Sequence, residues 1–186
     1  MKHLHFQQGF SLIEVLVAVL ILSFGMLALG AMLSFSVQLP KLAGYRATAT
    51  NLAASHVERM RANPAEFQKL DSRYTAEPLS YDGTFGTIES ADCVYDTCTP
   101  AALAAMDNAA TQRAIRAALP AGGMLVTCDV AAGPCSSMHY GNIWIVWQDP
   151  STAAALDAAA ADHCPPQVTQ RYTSPAPRCL YVRFKI

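Results

Sequence analysis

From Phe10 to Leu39 the chain runs thirty residues with a single charged side chain, Glu14. As a helix, that run is ~45 Å long at 1.5 Å per residue. A bilayer's hydrocarbon core is only about 30 Å thick, so the run can cross one with length to spare. A transmembrane helix is therefore the first expectation, and it leaves residues 40–186 to form a domain of ordinary size outside the membrane. The overall hydrophobic content of 52 % reflects this run together with an alanine-rich middle. Glu14 is the anomaly. A carboxylate at mid-membrane costs roughly 2.5–3.5 kcal/mol on insertion scales, so it needs a partner.

A secretory signal peptide does not account for the order of residues. It would place a basic stretch first, a shorter apolar core next and a small-residue cleavage site last. Here the small residue, Gly9, precedes the apolar run. A cut after it discards only MKHLHFQQG and keeps the membrane helix. That cut also creates a free α-amine on Phe10. Phe10 and Glu14 are four residues apart and share a helix face, so the amine can neutralise the carboxylate within the chain or in a neighbouring subunit. Ser11-x-x-Glu14 also has the form of a capping box, in which Glu14 serves backbone donors and the dipole at a helix start. That second reading stays open for the uncleaved chain.

The stretch G-F-S-L-I-E-V-L-V-A, residues 9–18, resembles the class III leader of type IV prepilins. The resemblance implies that a prepilin peptidase cuts between Gly9 and Phe10 and methylates the Phe10 amine. It also implies that Glu14 favours entry of the subunit into a growing fibre. "NLAASHVERMRANP", residues 51–64, and "IWIVWQD", residues 143–149, are similar to segments of minor pilins of the PilV type. A member of that group is a low-abundance structural subunit, not an enzyme, that helps initiate type IV pilus assembly and sits at the pilus tip or elsewhere in the fibre. The implied partners are other minor pilins, the major pilin, the inner-membrane assembly platform and the prepilin peptidase; no cofactor is implied. The implied organisation is a leader over residues 1–9, a membrane half-helix over 10–39, and a globular domain over 40–186. Before assembly the protein would be a single-pass inner-membrane protein with its C-terminal domain in the periplasm. A type II secretion pseudopilin shares the leader and the glutamate. A DNA-uptake minor pilin and a membrane-anchored periplasmic enzyme are the further alternatives.

Beyond the membrane run, Pro40 removes a backbone donor and is expected to bend or loosen the helix. Leu42, Tyr45, Ala49, Leu52, His56 and Met60 then recur at three-and-four spacing, which predicts an amphipathic continuation ending near Asn63-Pro64. His56 falls on its apolar side and reads as a core histidine. Residues 71–99 read as loop or short irregular strands. Thr99-Pro100 opens a helix to about Leu119, with threonine as N-cap and proline in the first turn. Three strands are predicted at 124–130, 143–147 and 179–186. The second is apolar on both faces and should be central; the last alternates, with Leu180, Val182, Phe184 and Ile186 facing the core. The alanine-rich 151–162 reads as a helical insertion. The expected fold class is α+β, a long N-terminal helix packed against an antiparallel sheet.

All six cysteines, Cys93, Cys98, Cys128, Cys135, Cys164 and Cys179, lie between positions 93 and 179. An even number confined to one region suits disulfides and an oxidising compartment, and the spacing lacks the paired C-x2-C clusters of zinc sites. Six cysteines allow fifteen pairings. Turn-rich sequence between Cys93 and Cys98, and the Ala-Ala-Gly-Pro reversal before Cys135, make pairing in sequence order the expectation. Cys164 would then anchor the insertion to Cys179. No nucleophile elbow, zinc-protease motif, phosphate-binding loop or dinucleotide fingerprint is present. Ser136, Ser137 and His139 read as turn residues, and Tyr140, Trp144, Trp147 and Tyr181 as core or sheet surface. From position 41 onward twelve basic side chains face thirteen acidic ones, so no basic surface for nucleic acid is expected.

Overall fold

In a computed structural model of the chain, residues 11–76, 87–88, 92–94, 96–130, 133–149, 162–170 and 176–186 are described. Gly9, Phe10 and nearly all of the alanine-rich stretch 151–162 lie outside these residues. The chain divides into two compact units, one up to Lys41 and one from Leu42.

Helix α1, Leu12–Ala62, contributes to both. In the first unit it is predominantly apolar, and every residue from Ser11 to Val37 is exposed. Two of its polar groups bond locally: Ser23 Oγ donates to the Val19 carbonyl at 2.7 Å, and Gln38 reaches the Ser34 hydroxyl at 3.3 Å. Pro40 lies inside α1, which continues past it to Ala62 as the spacing predicts. One missing donor is outweighed by the helical bonds on either side.

In the second unit α1 buries a stripe of Ala49, Ala53, His56, Val57 and Met60, with Tyr45 and Leu52 partly covered. The helix stops where Asn63, held at φ −130° and ψ 57°, precedes Pro64. Two single turns follow, α2 at Pro64–Phe67 and α3 at Arg73–Ala76. The second replaces part of the loop expected from sequence. Buried Tyr74 donates its backbone N–H to Ser72 Oγ at 3.2 Å, and Thr75 N–H bonds the Ser72 carbonyl at 3.1 Å. Helix α4, Pro100–Ala118, starts where Thr99 Oγ1 accepts from Ala102 N–H at 3.2 Å.

Strands β1 (Gly123–Cys128), β2 (Gly141–Gln148) and β3 (Pro177–Phe184) form an antiparallel sheet in the order β1-β2-β3. The apolar strand is central, because only a middle strand has both faces covered. Ile143, Ile145 and Trp147 join Met124, Val126 and Phe184 in one core with the α1 stripe, Phe67, Tyr74, Ala104, Ile115 and Leu119. Trp144 and Val146 point the other way, into a smaller cluster with Leu125, Val168 and Cys179. That second face is capped by Cys164 and the short turn α5, Pro166–Thr169. At Gly141, opposite Phe184, a Cβ would run into the Phe184 ring, so only glycine lets the ring lie over the strand.

Candidate functional site

The sequence singled out the start of α1. Ser11 is its leading residue: the Ser11 carbonyl accepts from Glu14 N–H at 3.0 Å and from Val15 N–H at 3.3 Å. Glu14 thus stands in the first turn, where a carboxylate favours the helix dipole, and its side chain is exposed. From there the helix presents almost wholly apolar surface, with no charged side chain, for more than five turns. Among the described residues α1 is the one helix long and apolar enough to cross a membrane.

The six cysteines form three bonds in sequence order: Cys93–Cys98, Cys128–Cys135 and Cys164–Cys179. They sit in different surroundings. Cys135 is buried in the main core and Cys179 in the smaller cluster, whereas Cys98 is exposed. Among the described residues no group of three or more His, Cys, Asp or Glu is arranged to hold a metal ion. Ser136 and His139 do meet, with Ser136 Oγ 2.8 Å from His139 Nδ1. The same nitrogen accepts the Ser136 backbone N–H at 3.1 Å, so it closes a turn beside Cys135. Trp147 is buried and donates to Asp149 at 2.9 Å, while Trp144 stacks on Tyr181 with ring centres 5.1 Å apart.

Two polar assemblies escaped the sequence reading. In the first, Asp107 on α4 accepts the Tyr74 hydroxyl at 2.8 Å and the Arg59 guanidinium at 3.1 Å. Asn63 reaches the Pro100 carbonyl at 2.8 Å, and His56 Nδ1 lies 2.9 Å from Thr111 Oγ1. His56 Nε2 is buried without a hydrogen-bond partner among the described residues. Burial lowers the His56 pKa to about 4, with the Asp107 charge opposing this and the Arg59 charge adding to it. Burial also holds the Tyr74 phenol well above its usual range. In the second assembly, Arg178 bonds Asp149 at 3.0 Å and lies 3.7 Å from Asp162, whose other oxygen accepts from Arg46 at 3.2 Å. This ladder joins α1, the segment before α5 and β3. The only sequence signal for either assembly was Asp107-Asn108, placed mid-helix on what proves to be the buried face.

On the outer face of the sheet, Asn142 donates to Asp129 at 2.6 Å and accepts the Tyr181 hydroxyl at 2.7 Å. The Asn142 bond, aided by the Arg183 pair, lowers the Asp129 pKa. Neither this row nor the buried assemblies leave a nucleophile and base facing an open cleft. The arrangement is one of structural polar pairing.

The family model for the prokaryotic N-terminal methylation motif matches residues 4–30. No curated protein and no solved structure matches the chain. The leader is thus of the type IV pilin kind. With an apolar, membrane-length first stretch of α1 and a second stretch packed against a three-stranded antiparallel sheet, the protein has the layout of a type IV pilin or pseudopilin.

Proposed function

We propose that this chain is a minor pilin of the PilV type, a structural subunit that helps initiate type IV pilus assembly. The observation that carries the reading is Gly9-Phe10 with Glu14 four residues on, leading directly into a membrane-length helix, within the matched stretch 4–30. Prepilin peptidase cuts between Gly9 and Phe10 and methylates the new amine. The chain waits in the inner membrane through residues 10–39, with residues 40–186 in the periplasm, and then joins the fibre. Its partners are the assembly platform, the major pilin and other minor pilins. Glu14 draws the N-terminal amine of a neighbouring subunit and so guides docking.

Mass spectrometry of the mature N-terminus should find a methylated Phe10. A mature chain that starts beyond Ile13 would sink the reading, because the partner of the glutamate would be gone. Glu14→Ala should insert into the membrane as well as the parent or better, yet be depleted from sheared pili; undiminished co-purification would refute the assigned role. A deletion strain that keeps its pili but loses secretion would replace the pilus by a type II secretion system.

A further inference from the structure

The three disulfides are consecutive, and none spans another: each cysteine pairs with its next neighbour in the chain, at separations of 5, 7 and 15 residues. Of the fifteen possible pairings this is the one in which the order of pairing equals the order of emergence from a membrane. Each loop is also short, so closing it costs little chain entropy. Cys93–Cys98 closes around a turn in which Asp96 adopts φ 87°. Cys128–Cys135 joins the end of β1 to the reversal behind it and needs neither β2 nor β3. Cys164–Cys179 alone reaches the last strand.

We propose that the domain is a substrate of a disulfide-carrying dithiol oxidase acting on it as it emerges, and that it needs no disulfide isomerase. In each step a cysteine thiolate of the chain attacks the mixed disulfide formed between its neighbouring cysteine and the oxidase. One protein disulfide forms, the oxidase leaves as a dithiol, and two electrons and two protons pass to it per bond. Cys93–Cys98 and Cys128–Cys135 close first, and Cys164–Cys179 last, pinning α5 over the outer face of the finished sheet. A chain paired out of order would need bonds broken and remade; this one has none to correct. The inference rests on the extracytoplasmic placement proposed above.

The test expresses the full chain in bacterial hosts that differ in one enzyme, with acid quenching, thiol alkylation and non-reducing peptide mapping. The host lacking the isomerase should yield the same three bonds at the same rate as the complete host. The host lacking the oxidase should lose the three-bond species and regain it when cystine is supplied. Cys128→Ser should leave one alkylatable thiol, Cys135, with the other two bonds intact. Misbridged species without the isomerase, full bonding without the oxidase, or capture of Cys164 by Cys135 in the variant would each overturn the proposal. Protease accessibility in spheroplasts is read in parallel: a protected domain defeats the placement, whereas an accessible domain that depends on the isomerase defeats this inference alone.

Discussion

The two units use the same helix in opposite ways. Up to Val37, α1 exposes Leu, Ile, Val, Phe and Met all around its circumference, and the chain itself offers them no cover. From Tyr45 onward the apolar surface narrows to one stripe, which the sheet, α3 and α4 bury. The first pattern suits a solvent that is itself apolar, where backbone bonds close within the helix and no side needs hiding. The second suits water on one side and a core on the other. The difference shows where each half finds its stabilisation: one in its surroundings, the other in its own chain.

Paired methionines give the sharpest way to break this comparison. Met60 is fully buried and Met26 is 65 % exposed, both on α1. Met60→Ala should destabilise the domain by about 2–5 kcal/mol through lost contacts and a cavity. Met26→Ala should leave its unfolding unchanged. Chemical denaturation of the full chain in detergent micelles reads both; equal effects would end the distinction.

Acid probes the second unit through His56. His56 has a folded pKa of about 4 against 6.5 for the free side chain. The unfolded chain therefore takes up the proton first, and stability should fall as pH drops from about 6.5 towards 4, by up to about 3 kcal/mol. His56→Gln should flatten that part of the profile, and a variant with an unchanged slope would remove His56 as the cause.

Glycines offer a third contrast. At Gly141 an added Cβ meets the Phe184 ring, whereas nothing lies within 4 Å of one at Gly25 or Gly30. Gly141→Ala should cost about 1–3 kcal/mol from overpacking. Gly25→Ala should leave domain unfolding untouched and add helix propensity worth about 1 kcal/mol locally. Thermal melts and helical signal in micelles separate the two; a stable Gly141→Ala would mean the ring moves freely. The smallest effect belongs to the exposed α4 cap: Thr99→Ala should cost about 1 kcal/mol, measured by the same melts. No change would show that Pro100 and tertiary contacts alone start that helix.

Local spacing carries its own physics, and the sequence was readable wherever that sufficed. A thirty-residue run with one charge predicts a membrane-length helix because length is read directly from residue count. Thr99-Pro100 starts α4 because the capping oxygen and the fixed proline φ act within one turn. Alternation in 179–186 sets which residues face the core, and the double-faced 143–147 identifies the central strand. The short cysteine separations pointed to pairing in chain order, the pairing the structure has.

What tertiary structure alone decided lies between residues far apart in the chain. No spacing rule connects Arg59 with Asp107, or Arg46 with Asp162 and Arg178, since each pair meets only after α1, α4 and β3 have packed. Asp107 and Asn108 are polar residues in an alanine-rich helix, yet they are buried because Tyr74, Arg59 and the Arg73 carbonyl supply their partners. Likewise α5 covers the back of the sheet because Val168 and Cys164 find Leu125, Val146 and Cys179 there, a match of surfaces that no local pattern encodes. Periodicity tells which side of an element is apolar; only packing decides what that side touches, and so which polar groups can follow it inside.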